Sequence, residues 1–183
     1  MAINYQKINI QLERLDQKKQ ELMNIIHSLP PEKYQRNPDP GTWSVGQVAN
    51  HLYLSERLSL AYLNKKMSYI DTIPPFSIKS WWALYSVNFI LWSPFKIKAP
   101  PAINMWKDIE ILSPDDLDSK WTMVRRDLAA FITQHQPNFH SHLVFNHPIS
   151  GRMTMTQMLI FFNHHFAHHL RQIHRVVREI SRS

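Results

Sequence analysis

The chain has 183 residues, 44% of them hydrophobic, with six tryptophans and a formal net charge of +7. That is enough apolar material for one stable domain spanning residues 1–183, and it excludes a disordered chain. The absence of cysteine excludes disulfides, thiolate ligands and a cysteine nucleophile, and it fits a reducing cytoplasm.

The first predicted helix runs from about Asn4 to Leu29, with Ile8, Leu12, Leu15, Leu22, Ile25 and Leu29 recurring at helical spacing. Pro30 and Pro31 end it. Ser44-Val45-Gly46-Gln47 has the form of a capping box and opens a second helix that continues to about Met67. Val48, His51, Ser55, Leu58 and Tyr62 share one narrow face of it, and Trp43 is expected to pack beneath it.

A long connection, Ser68 to Leu112, follows, with a short helix expected around Lys79 to Trp92. Its length permits a crossover rather than simple up-and-down alternation. Its tryptophans, Trp81, Trp82 and Trp92, point to cover over a cavity or to burial against a second subunit in a homodimer, with simple packing on the chain's own bundle as the alternative. The apolar run Trp81 to Trp92 is too short to span a bilayer, and the first residues lack the apolar core of a signal peptide, so no membrane partner is expected.

Ser113-Pro114-Asp115-Asp116 starts the third long helix with a serine cap, proline in the first turn and acids near the dipole's positive end. Leu117, Trp121, Val124, Leu128 and Phe131 form its buried stripe. Phe139 to Gly151 is rich in turn residues and suits a short hairpin. Thr154-Met155-Thr156-Gln157 is another capping box, opening a last helix to about Ser181. The expectation is an all-α four-helix bundle with a long connection between its second and third helices.

Of eleven histidines, His165 and His169 stand four residues apart on the last helix. Their side chains are therefore separated by about 40° around the axis and project together. Met158, Phe162, Gln172 and Val176 share their stripe, whereas His164 and His168 fall on its flank. If this face meets the stripe of the second helix, His51 brings a third imidazole. Three neutral imidazoles leave a divalent metal open positions, as in a catalytic site. Zinc is the default, and nickel, iron or copper also suit imidazole. The plainer alternative is a chance pair and an ordinary buried His51.

No carboxylate lies on the ligand stripes, since Glu56 points about 140° away from His51. Gln172, Ser55 and Tyr62 are candidates to orient a substrate but are poor bases, and Gln172 is equally a candidate to support a metal-ligating histidine. A base from elsewhere in the chain, such as Asp115 or Asp116, is the alternative. Arg171, Arg175, Arg178 and Arg182 form a stripe nearly opposite the histidines, read as a solvated face.

Two segments carry a family resemblance. One is Leu29-Pro30-Pro31-Glu32 through Thr42-Trp43-Ser44-Val45-Gly46-Gln47-Val48-Ala49-Asn50-His51-Leu52. The other is His147-Pro148-Ile149-Ser150-Gly151-Arg152-Met153-Thr154 followed by His165-Phe166-Ala167-His168-His169-Leu170-Arg171-Gln172-Ile173. In this order they resemble the DinB/YfiT-like family, and only the Ser68 to Leu112 region matches poorly. The resemblance implies a four-helix bundle in which His51, His165 and His169 ligate a metal. It also implies a metal-dependent hydrolase, or a transferase using a low-molecular-weight thiol such as bacillithiol or mycothiol. A small-molecule substrate follows from either. The alternatives are a basic nucleic-acid-binding protein, supported by charge alone, or a scaffold with a vestigial metal site.

Overall fold

The computed structural model describes residues 2–69, 110–135, 143–147 and 151–182. The four long helices are α1 (Ala2–Ser28), α3 (Val45–Met67), α4 (Pro114–His135) and α5 (Met155–Arg182). A single helical turn, α2 (Pro31–Tyr34), lies between the first two, and strands β1 (Phe145–His147) and β2 (Gly151–Met153) precede α5. The helix anticipated around Lys79 to Trp92 and the dimer argued from its tryptophans concern residues outside those described. No helix among the described residues is long and apolar enough to cross a membrane.

The caps form as their chemistry requires. Gln47 N–H donates to Ser44 Oγ at 3.1 Å while Ser44 N–H donates back to Gln47 Oε1 at 2.9 Å. Gln157 and Thr154 repeat this reciprocal pair at the head of α5. Ser113 caps α4, its hydroxyl accepting from Asp116 N–H and donating to the Asp116 carboxylate. Each pair satisfies donors that the first helical turn leaves open. The hairpin forms late in the expected region, Phe145 pairing with Met153 and His147 with Gly151.

Helix α2 was not anticipated. The two prolines stop α1, but Pro31 also occupies the first position of a new turn, where its fixed φ suits a helix and no N–H is missed. Tyr34 at the end of that turn enters a buried clamp. Its hydroxyl donates to Leu112 O at 3.2 Å and accepts from Asn50 Nδ2, which also donates to Gly46 O. Leu112 N–H returns to Asn50 Oδ1. The clamp joins α2, α3 and the approach to α4.

Gly46 is needed for this approach. A Cβ there would lie 2.8 Å from Ile111 Cγ2 and 3.1 Å from Tyr34 O. Gly46→Ala gains about 1 kcal/mol of helix propensity but overpacks at a cost of about 1–3 kcal/mol. We expect a net loss of stability in urea titration, and an unchanged or raised midpoint would contradict this packing.

The principal helix packings are α1 on α5, α1 on α4, α3 on α4 and α3 on α5. Side-chain partners give the directions. Asn163 reaches Gln11 and His174 reaches Glu21, so α1 and α5 run parallel. Asn50 meets Leu112 and Glu56 meets Arg125, so α3 and α4 also run parallel. Lys19 pairs with Asp118 and Asp16 with Arg125, making α1 and α4 antiparallel. It follows that α3 and α5 are antiparallel. Parallel neighbours α3 and α4 start at the same end of the bundle, so the four long helices do not alternate simply up and down, as the length of the intervening sequence permitted.

The core contains Ile8, Leu15, Leu22, Leu63, Leu117, Trp121, Phe166 and Ile173. The buried stripe expected of α4 is found. On α5 Met158, Phe162 and Val176 are buried as expected, but His165, His169 and Gln172 are half-buried at the edge of a stripe that runs through Met155, Leu159, Phe166 and Ile173. The stripe of α3 is not where the spacing put it. Leu52, Glu56, Ser59, Leu60 and Leu63 are buried, whereas Leu58 and Tyr62 are exposed. The His51 face lies about 120° from the centre of the buried stripe, at the edge that α3 shares with α5.

A candidate metal centre

His51 stands in the second turn of α3, and His165 and His169 stand one turn apart near the middle of α5. The antiparallel packing of these helices brings the three side chains together. His165 Nε2 lies 3.2 Å from His51 Nε2 and 3.1 Å from His169 Nε2. The ligand atoms of all three lie within 4.8 Å of one another. His51 is buried and the two α5 histidines are half-buried, so the cluster sits at the rim of the α3–α5 seam rather than in the bundle's centre.

The rings are held by identifiable neighbours. Trp43, immediately before the Ser44 cap, meets the His51 ring edge-on with centroids 5.3 Å apart. The sequence pair Trp43-Ser44 thus performs two jobs, starting α3 and bracing the imidazole two turns in. Trp43 was expected beneath the helix, and it packs on His51 itself. Phe161 stacks on His165 at 5.6 Å with an interplanar angle of 11°. Spacing alone had not singled out Phe161, although it is one turn before His165.

Gln172 supplies the most specific contact. His169 Nδ1 lies 2.8 Å from Gln172 Oε1. An amide oxygen only accepts, so Nδ1 carries the proton and the Nε2 lone pair turns toward the other two histidines. Burial pushes His51 down to about 4 and His169 well below the ordinary imidazole range, the latter also through His51 and His168. Both are neutral at neutral pH and present ligand nitrogens rather than cations.

This donor set fits a metal. Nitrogen ligands at 2.0–2.1 Å from a tetrahedral cation stand about 3.4 Å from each other. The two closest Nε2 separations approach that edge. A neutral imidazole has one N–H and one lone pair, so hydrogen bonding among three converging Nε2 atoms leaves surplus lone pairs that a cation satisfies.

His164 and His168 behave as flanking residues. His164 is exposed, with its pKa lowered by partial burial and by Lys18. His168 meets His169 ring to ring at 5.1 Å without joining the ligand group. Phe162 and Phe166 are core, Phe166 stacking on Trp121. Among the described residues no carboxylate joins the three histidines. Glu56 is buried against Arg125 and Trp121, and Asp116 is engaged at the α4 cap beside the exposed Asp115. Ser55 donates to the His51 carbonyl. The arginines of the α5 stripe, Arg171, Arg175, Arg178 and Arg182, are exposed as expected.

A family model described as the DinB superfamily matches residues 14–173, a span that includes all three histidines. The chain belongs to the DinB superfamily. It is 23% identical over 169 residues to a protein of Oceanobacillus iheyensis named "putative metal-dependent hydrolase", covering 91% of this chain and 83% of that one. Among solved structures it is similar to YfiT from Bacillus subtilis, with a TM-score of 0.62 and 16% identity. That match covers 95% of this chain and 87% of YfiT. YfiT is described as "a probable metal-dependent hydrolase with an unusual four-helix bundle topology". At that identity the likeness establishes the four-helix fold.

Proposed function

We propose that His51, His165 and His169 hold a divalent transition metal and that this DinB-superfamily protein is a metal-dependent enzyme acting on a small molecule. The observation that carries the reading is the convergence of three Nε2 atoms, one of them aimed by Gln172. When bound there, the cation would supply Lewis acidity toward a coordinated water or thiol. Zinc is the first candidate, with nickel, iron or copper as alternatives for an imidazole set.

The naming of its relatives supports hydrolysis. The surroundings of the histidines favour thiol transfer slightly. A hydrolase benefits from a positioned general base, and the nearby carboxylate on α3, Glu56, is already used by Arg125 and Trp121. A thiol is acidic enough to ionise beside a cation without one. The residues' own part is to hold neutral nitrogens toward one another. A cytoplasmic setting accords with the cysteine-free composition.

Metal analysis of the purified protein tests the ligand set. His51→Ala, His165→Ala and His169→Ala should each lose most of the bound metal, because two imidazoles make a weak site. Gln172→Leu should weaken affinity about 10–100-fold through loss of the orienting bond. His164→Ala and His168→Ala should keep their metal. Undiminished metal in all three ligand variants would sink the assignment. Screening the loaded protein with thiols plus electrophiles, and separately with esters and amides, then distinguishes transfer from hydrolysis.

A further inference from the structure

We infer that the turn from Asn37 to Thr42 sets the metal affinity of the histidine site, with Asn37 as a positioning residue that acts on His51 through Trp43. The inference rests on the metal-centre reading and adds to it residues that lie outside the ligand helices.

The three ligand rings are not braced alike. Phe161 stacks on His165 from one turn earlier in α5, and Gln172 holds His169 Nδ1 from three residues later in the same helix. Both braces share a rigid element with the ring they hold. Trp43, edge-on to His51 at 5.3 Å, instead precedes the Ser44 cap and stands outside α3. Its placement depends on the turn that delivers it.

The sequence builds that turn from local chemistry. Asp39-Pro40-Gly41-Thr42 has proline second and glycine third, Gly41 has a φ of 81°, and Thr42 N–H donates to Asp39 O at 3.1 Å. These are the features of a type II β-turn, which needs a positive φ at that glycine. The Thr42 hydroxyl closes the turn a second time, accepting from Asp39 N–H at 3.0 Å and donating to Asp39 O at 2.6 Å.

Asn37 ties the turn to the head of α3. Its Nδ2 donates to Thr42 O and, at 3.0 Å, to Gln47 Oε1. Thr42 O belongs to the peptide plane before Trp43. Gln47 Oε1 also accepts from Ser44 N–H at 2.9 Å, which belongs to the plane after it. One pair of side-chain amides thus fixes both planes flanking the Trp43 Cα, and with them the two soft dihedrals of that residue. Asn37, Asp39 and Thr42 are all exposed, so core packing is not what they serve.

Zinc affinity is measured by competition with a chromophoric chelator, alongside urea unfolding of the metal-free protein. Trp43→Ala should lower affinity by about 10–100-fold, the range for loss of a group that orients a ligand, and Asn37→Ala by about tenfold. Asn37→Asp keeps the size of the side chain but sets an acceptor against two oxygens, so it should cost at least as much affinity as Asn37→Ala. Trp43→Phe retains an aromatic edge and should bind zinc nearly as tightly as the unaltered protein. The urea midpoint of both metal-free Asn37 variants should barely move, because surface substitutions cost little. Asn24→Ala, which breaks an exposed amide pair with Gln20 on α1, should leave affinity and midpoint unchanged. Unchanged zinc affinity in both Asn37 variants, or a lowered urea midpoint with affinity intact, would overturn the positioning role while leaving the metal centre standing. Failure of the unaltered protein to bind zinc would instead overturn the metal-centre reading and this inference with it.

Discussion

Replacing Glu56 by alanine should cost about 3–5 kcal/mol of stability, the loss expected when one member of a buried ion pair is removed. Glu56 is 4% exposed and Arg125 7%. Arg125 Nη2 donates to Glu56 Oε1 at 2.8 Å, its Nε donates to Oε2, and Trp121 Nε1 donates to the same Oε2 at 2.9 Å. Asp16 on α1 takes the remaining guanidinium edge at 2.9 Å but is itself largely exposed. Without Glu56 the guanidinium stays inside with one screened partner and Trp121 loses its acceptor. The arrangement joins α1, α3 and α4, so the loss should appear as a cooperative drop in the urea midpoint rather than local fraying. The double variant Glu56→Leu with Arg125→Met should recover most of the loss, because an apolar replacement removes both desolvation penalties together. If Glu56→Ala unfolds at the same urea concentration as the unaltered protein, the pair is not a structural element of the bundle.

This pair also shows where sequence reading stops. Glu56 falls on a helix position that a hydrophobicity pattern scores as solvent-facing, and its partner is on another helix, beyond the long connection. Nothing local signals that a carboxylate there is inside. The same limit explains the shift of the α3 stripe. Val48, His51, Ser55, Leu58 and Tyr62 do share a face, but which face meets the core depends on neighbours that periodicity does not name. The α4 stripe was legible because Leu117, Trp121, Val124, Leu128 and Phe131 leave only one apolar face to bury. Caps at Ser44, Ser113 and Thr154 were legible for a further reason: each is a bond between residues three apart. His165 and His169 could be paired from helical geometry, since both lie on one element. His51 could be added only by supposing which helix faced α5, and the family resemblance supplied that supposition. Gln172 was legible as a residue that either supports a histidine of the site or touches substrate, and its bond to His169 Nδ1 is of the first kind.

Acid should unfold the metal-free protein more readily because its histidines are buried neutral. His51 is held at about 4 by burial, against about 6.5 in an unfolded chain. Above pH 6.5 the ring is neutral in both states and contributes no pH dependence. As pH falls from 6.5 toward 4, the unfolded chain binds the proton and the folded chain does not, so stability declines through that window. The full difference is about 3 kcal/mol for His51, and His169 is shifted in the same direction. Urea unfolding of chelator-treated protein at pH 7, 6, 5 and 4 should show this decline. His51→Ala should lessen the slope by up to about 1.4 kcal/mol per pH unit between 6.5 and 4. Added zinc should raise stability most near neutral pH and lose its effect on acidification, because protons and the cation compete for the same nitrogens. Parallel stability profiles for His51→Ala and the unaltered protein would mean that His51 titrates normally. An imidazole that charges freely in the folded state would not be the desolvated, inward-facing donor that the geometry of the site requires.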